Sequence, residues 1–148
     1  MSKRKPTKSD DAFDRFVRDV NLVAMGLNSF SCQLDRSAYM ELRRKRHASS
    51  RRIAVSFEVT EVKPTHFDAI AKYALIVHNG QRKSQPLNIE CAFGAHFHAP
   101  EPIDKGLAER FVNSFIGVLL WPYFRQFVFD STARMAIPPI TLPLLPEA

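Results

Sequence analysis

Two histidines, His96 and His98, stand two residues apart in a stretch whose apolar and polar residues alternate. If that stretch is a β-strand, both imidazoles lie on one face, an arrangement that can ligate a transition metal. A stable site needs further ligands, and no carboxylate or thiolate has a suggestive spacing. Glu58 and Glu90 occupy similar polar positions of predicted strands. We therefore interpret these side chains as exposed strand residues and expect no metal site.

Groups that could act as nucleophiles or bind phosphate are also scarce. The two cysteines, Cys32 and Cys91, are far apart and form no CxxC motif, which argues against a disulfide framework or a thiolate zinc site. The five glycines are dispersed, so there is no phosphate-binding loop, and no GxSxG motif is present. Because no activated nucleophile or acid–base pair is recognisable, we expect neither an enzyme nor a cofactor.

Positive charge is concentrated from Arg43 to Arg52, in a chain whose net charge is +6. Such a run is usually a solvated loop, and we predict a mobile polar connection over residues 35–52, with a helical turn from Ala38 to Leu42. The alternative is a patch that contacts the phosphates of a nucleic acid. Because no aromatic residues are interleaved to stack on bases, a nucleic-acid-binding module is only the alternative function.

The elements that would position these residues form one domain over residues 10–148, after a basic tail over residues 1–9 that we expect to be disordered. A first, irregular strand is predicted from Asn21 to Leu34. Three further strands show the apolar–polar alternation of a sheet with one buried face, over residues 53–60, 67–78 and 87–98. The short connections between these three strands, which contain turn residues, predict an antiparallel sheet.

Two helices complete the prediction. Asp10 or Asp11 could cap a short helix at the start of the domain, and Asp104 is expected to cap a long helix that reaches about Arg134. The i, i+4, i+8 stripe of the long helix contains Leu107, Phe111, Phe115, Val118 and Leu119. The fold class is therefore α+β, with a four-stranded antiparallel sheet packed against one long helix.

The long helix is apolar nearly all round between Phe111 and Phe129. A helix that lies on one sheet buries only one stripe, so the remaining apolar surface must be covered by another subunit or by a bound apolar ligand, such as an unfolded chain. The alternative is a break at Pro122 into two shorter elements. Beyond the helix, the proline-rich stretch from Ile137 to Pro146 predicts an extended, apolar segment.

The longest apolar run, from Phe115 to Phe124, is far shorter than the ~20 residues of a membrane span. No apolar stretch follows the basic N-terminus, as a signal peptide would require. We therefore expect a cytoplasmic protein without membrane insertion.

The C-terminal third contains Trp121-Pro122-Tyr123-Phe124-Arg125, then Arg134, then Ile137-Pro138-Pro139 with Leu142. These residues and their spacing resemble the SecB family of protein-export chaperones. Ser29-Phe30-Ser31 is similar to the end of the family's first strand. The order of three strands followed by a long helix agrees with the family over about residues 20–145.

The resemblance implies a homotetramer, a dimer of dimers, that holds unfolded clients without ATP in apolar grooves near the long helix. The clients would be preproteins or an antitoxin. The resemblance also implies a helix-packing role for Trp121, Pro122 and Tyr123, anchoring hydrogen bonds from Arg125 and Arg134, and a structural role for Pro138. The residues expected to line the client groove are Phe57, Tyr73, Phe115, Trp121, Phe124, Ile137, Ile140 and Leu142.

The chain departs from SecB proper in two respects. It is basic where SecB is acidic, and it shows neither the second helix nor the metal-binding tail that helps SecB to meet the SecA motor. The departures argue against handover to SecA. They are more typical of SecB-like proteins that guard the antitoxin of a toxin–antitoxin pair, or of a stand-alone chaperone.

Overall fold

The fold is seen in a computed structural model that describes residues 7–45, 49–80 and 84–146. Four antiparallel strands form one sheet in the order β1-β4-β3-β2. The strands are β1 (Asn21–Leu34), β2 (Ser49–Val62), β3 (His66–Asn79) and β4 (Leu87–His98). The helices are α1 (Lys8–Asp19), α2 (Arg36–Arg44), α3 (Lys105–Phe111) and α4 (Gly117–Arg134), with a π-helical turn (Val112–Ile116) between the last two.

One face of the sheet is covered by helices, and the residues that the structure describes leave the other face open. In β3, the residues at positions 67, 69, 71, 73, 75 and 77 are buried, while the intervening ones are half-buried or exposed except for His78. The alternate residues of β4 from Leu87 to Phe97 are buried on the same face. The alternation read from the sequence is thus confirmed, because one face of each central strand contacts the helical layer.

The N-terminal part differs from the prediction in two places. Helix α1 begins at Lys8, inside the predicted tail, and its N-cap is Thr7 rather than Asp10 or Asp11. Asp10 lies at the third helical position, where its carboxylate accepts hydrogen bonds from the backbone N–H (3.2 Å) and the hydroxyl (2.8 Å) of Thr7. This is a capping arrangement, which sequence alone could place only to within a few residues.

The predicted mobile connection over residues 35–52 is largely ordered. It contains helix α2, which Asp35 caps by accepting from the N–H of Ala38 (3.1 Å), and the beginning of β2. Tyr39 and Leu42 are buried, so two apolar residues anchor an otherwise polar helix. Residues 46–48 of the basic run and residues 81–83 of the predicted β3–β4 loop lie outside the described residues.

The long helix is present, and it continues through Pro122 to Arg134, so the alternative of a break there is wrong. Asp104 caps it, accepting from the N–H of Leu107 (2.8 Å). The π-helical turn adds a residue to one turn of the helix. Because of this extra residue, the buried stripe does not continue from Phe111 to Phe115. The buried residues that follow Phe111 are Val112, Ile116, Leu120, Trp121, Phe124, Val128 and Thr132. Phe115, Val118 and Leu119 are therefore exposed and not part of the core stripe, which corrects the prediction.

Residues 135–146 run back along the helix, and we call them the C-terminal strap. Ala136 has a φ of 55°, in the left-handed region that usually favours glycine, and there the chain reverses direction. The strap has no regular secondary structure, as its four prolines predict. Ile137, Ile140 and Leu142 are buried and belong to the hydrophobic core.

Candidate functional site

The outer side of the long helix is an apolar stripe that the described residues cover only in part. Its members are Phe115, Val118, Leu119, Tyr123 and Phe129, and Val118 and Tyr123 are 51% and 46% exposed. The stripe arises because the helix is apolar nearly all round but packs on a single sheet. The prediction that this helix would have apolar surface left over is confirmed.

Strand β1 extends this exposed surface on the helical side of the sheet. Phe30 is 64% exposed, and its ring meets that of Phe127 at 5.7 Å between centroids. Leu27, also exposed, lies opposite Phe93 in the sheet, and the Phe93 ring lies 6.5 Å from that of Tyr123. Leu27 and Phe30 thus border the helix, and together with the stripe they form what we call the apolar surface.

The outer edge of β1 has no protecting charge or proline. Within the described residues this strand pairs only with β4, and between Asn21 and Leu34 it contains neither a charged residue nor a proline. Natural edge strands are usually protected by charges, prolines or bulges, and β1 has only two register shifts. The opposite edge, β2, carries Arg51, Arg52, Glu58 and Glu61.

Six of the eight residues predicted to line an open groove are buried. Tyr73, Trp121 and Phe124 form an aromatic cluster between helix and sheet, in which the rings of Tyr73 and Phe124 stack at 4.8 Å. Ile137, Ile140 and Leu142 are buried within the strap. In this arrangement none of the six lines an open groove, because three lie between the helix and the sheet and the other three are buried within the strap.

The two other predicted residues reach the surface to different extents. Phe57 is half-buried, and its ring lies over Gly117 so closely that a Cβ there would come within 2.7 Å of it. Phe115 is exposed and stacks on Phe13 with centroids 6.2 Å apart. Of the eight, only Phe115 belongs to the apolar surface. Sequence reasoning missed Leu27 and Phe30, whose signal is an uncharged strand that alternates irregularly.

Side-chain donors hold the strap against the helix. Trp121 Nε1 donates to the carbonyl oxygen of Pro143 (2.8 Å), and Arg125 Nε donates to that of Leu142 (2.7 Å). The anchoring role expected of Arg125 is thus seen. Arg134, in contrast, is exposed and has no side-chain hydrogen bond within the described ranges. Arg36, which sequence reasoning did not single out, donates to the carbonyl oxygens of Met135 and Ala136 at the chain reversal.

The other family-motif residues take mixed positions. Pro122 and Tyr123 lie on the exposed side of α4, where Tyr123 contributes to the apolar surface and does not pack in the core. Pro138 is exposed in the strap. The exposed position of Pro122 does not support the helix-packing role expected of it, and Tyr123 reaches the sheet only at its edge, beside the ring of Phe93. Trp121, in contrast, is buried between helix and sheet.

The buried titratable groups have the electrostatics of core residues. Burial raises the pKa of Tyr73, whose hydroxyl donates to the carbonyl oxygen of Gly117 (3.1 Å). Burial likewise raises the pKa of the Cys91 thiol to about 12, which keeps it protonated and unreactive. Cys32, on β1, is exposed.

His96 and His98, the pair singled out in the sequence, lie on the open face of the sheet, where His98 is exposed. The His96 Nδ1 is hydrogen-bonded to Asp68, and the His66 ring lies 5.2 Å from the His96 ring. In the part of the chain that the structure describes, no group of three or more His, Cys, Asp or Glu side chains is placed to hold a metal ion. A depression of about 510 Å³ on the same face is lined mainly by small residues, with Lys72 and Glu90.

The basic segment is divided between two elements. Arg43 and Arg44 end helix α2, and Arg51 and Arg52 are exposed on β2. Lys45 forms an ion pair with Glu41 (3.3 Å).

No described helix is both long and apolar enough to cross a membrane.

Comparisons with known proteins identify the fold. No family model and no curated protein matches the chain. A solved structure of the Rv1957 SecB-like chaperone of Mycobacterium tuberculosis, in complex with a ChAD peptide from the Rv1956 HigA1 antitoxin, matches with a TM-score of 0.66 and 18% identity over 91% of this chain and 97% of that one. A protein of unknown function from Streptococcus agalactiae matches with a TM-score of 0.51 and 11% identity, over 84% and 97%. The chain therefore has a SecB-like α+β fold.

Proposed function

We propose that this protein is a member of the SecB family and an ATP-independent chaperone that binds non-native polypeptides and keeps them in solution. The observation that carries the proposal is the apolar surface, which the described residues leave exposed along the long helix and β1 of a SecB-like fold. An antitoxin is a natural candidate for the client, since the similar M. tuberculosis chaperone was solved with an antitoxin peptide. A preprotein client remains the second possibility.

The mechanism is the burial of apolar side chains that an unfolded client exposes. Burying a leucine or phenylalanine side chain contributes about 1.5–3 kcal/mol relative to leaving it exposed. Ordering the client opposes this gain, so each contact with the apolar surface is weak. Several copies of the surface in one assembly would raise the overall affinity for a long client through avidity. No nucleotide is needed, because release follows from the weakness of the individual contacts.

Self-assembly is part of the proposal. The uncharged edge of β1 fits a second copy of the chain, which would extend the sheet across the two subunits. The stripe on the long helix would then serve both assembly and client binding. The dimer of dimers implied by the family resemblance is tested by light scattering coupled to gel filtration.

The function is tested by diluting a chemically denatured protein into buffer with and without this chain, in moderate salt and without ATP. We expect light scattering to fall at near-stoichiometric amounts of the chain. Leu119→Asp, in the exposed stripe, should weaken this protection several-fold because it places a charge where client apolar groups bind. Asn113→Asp, an exposed position on the same helix, is the matched control and should protect as the wild type does.

Two results would contradict the proposal. Unchanged scattering with the wild type would exclude general holding of unfolded chains. Equal protection by both variants would show that the stripe is not used, provided that gel filtration gives them the same assembly as the wild type. A steep loss of client binding with added salt would instead indicate charge-driven binding through the basic segment.

A further inference from the structure

We infer that the C-terminal strap occupies a groove that also takes extended apolar segments of other chains, so that the strap and a client compete for it. The inference rests on the proposed function and deepens it by assigning a second client site and the chemistry of its ligand. The groove is formed by the side of α4 that carries Trp121, Arg125 and Thr132.

The helix recognises the strap through the strap's backbone. Trp121 and Arg125 donate to the backbone carbonyl oxygens of Pro143 and Leu142, and the Thr132 hydroxyl accepts from the backbone N–H of Ile140 (2.9 Å). All three contacts join a helix side chain to the strap backbone. Any extended segment offers the same carbonyl and amide groups, so these contacts do not depend on the side chains of the bound chain.

The strap fills the groove with alternate side chains. Ile140 and Leu142, two residues apart, are buried, while Thr141 between them is exposed. This is the alternation of an extended chain with one face bound. The ligand that fits is therefore an extended segment with apolar residues at positions i and i+2. Proline is tolerated between and after them, since few backbone N–H groups are used.

The strap is a replaceable occupant of the groove. Closing it holds Ala136 in a left-handed conformation, which is strained for a residue with a side chain. Beyond the last anchor, Leu144 and Leu145 remain 75% and 67% exposed, so the apolar end of the strap is not bound.

The test uses a fluorescent peptide with the sequence of residues 136–146 and measures its binding to the full chain by anisotropy. In the wild type the peptide competes with its own copy, which is present at a high effective concentration, so binding should be weak. Leu142→Asp in the full chain should free the strap and tighten peptide binding at least tenfold. Leu144→Asp, which changes an exposed residue of the same strap, should leave it as in the wild type.

A second variant tests the groove itself. Arg125→Met, added to Leu142→Asp, should weaken the peptide at least fivefold, because it removes the donor to the peptide carbonyl. If Leu142→Asp lacks the native circular dichroism spectrum, Leu142→Ala takes its place, with the same direction of change. Equal peptide affinity for the freed-strap variant and Leu144→Asp would overturn the inference.

The aggregation assay on the wild type separates this inference from the proposed function. Protection by the wild type with no peptide binding to the freed-strap variant refutes the groove and leaves the chaperone function standing. Peptide binding without any protection from aggregation refutes the function and leaves a peptide-binding groove.

Discussion

Replacing Thr132 by valine removes a single hydroxyl from the core and nearly preserves the volume of the side chain. Thr132 is fully buried, and its Oγ1 donates to the carbonyl oxygen of Val128 (2.8 Å) while accepting from the N–H of Ile140 (2.9 Å). In the variant the carbonyl keeps its helical hydrogen bond, but the buried amide of Ile140 loses its acceptor. The loss is therefore confined to one strap amide.

The expected magnitude follows from that amide. Leaving a buried donor without a partner costs about 1–3 kcal/mol, and no cavity term is added because valine fills the same space. We expect Thr132→Val to lower the free energy of unfolding by about 2 kcal/mol. If the strap opens before the domain unfolds, the loss is limited to the free energy of strap opening.

The assay is urea denaturation followed by the fluorescence of Trp121, the only tryptophan and a direct contact of the strap. Thr141→Val is the matched control, because it makes the same substitution at an exposed strap position. Hydrogen exchange at the Ile140 amide adds a local readout, and protection should fall in Thr132→Val alone. Equal unfolding midpoints and equal Ile140 protection in the two variants would refute the assignment of Thr132 as the anchor of the strap.

The remaining predictions concern titratable side chains. A thiol reagent at pH 8 should label exposed Cys32 quickly and buried Cys91 only after unfolding, since burial raises the pKa of Cys91 to about 12; rapid labelling of both thiols in the native protein would contradict this. Hydrogen bonds from Thr7 hold the pKa of Asp10 below its usual value of 3.8, so its stabilising effect is present above that value and is lost as the pH falls through the lowered pKa. An NMR titration of Asp10 should show the low pKa in the wild type and a return towards 3.8 in Thr7→Val.

The sheet could be predicted from the sequence because its signals are local. β4 begins and ends where the alternation from Leu87 to His98 predicts, and β1 spans the predicted Asn21–Leu34. The pattern depends only on which face of each strand is buried, and that face is the same along the whole strand. The fold class followed from these strands and from the long helix.

The candidate site could be predicted only in part. Because the long helix is apolar nearly all round, the sequence predicts that some apolar surface stays exposed. It does not predict which residues form that surface. The π-helical turn changes the phase of the helix, and nothing in the residues Val112–Ile116 signals it. Which side of the strap faces the helix depends on contacts between Arg125 and Leu142 and between Thr132 and Ile140. These are tertiary contacts, so no periodic pattern in the sequence predicts them.

The strand order has a consequence for how the chain folds. β2, β3 and β4 can pair in succession through short connections, so their hairpins form from local contacts. β1 is the first strand to be synthesised, but its only partner in the described sheet is β4, and the whole of β2 and β3 lies between them. Its closure is therefore the slow, non-local step, and until then an uncharged apolar strand is exposed. A newly made copy of this protein would pass through a state that resembles the non-native chains we propose it binds.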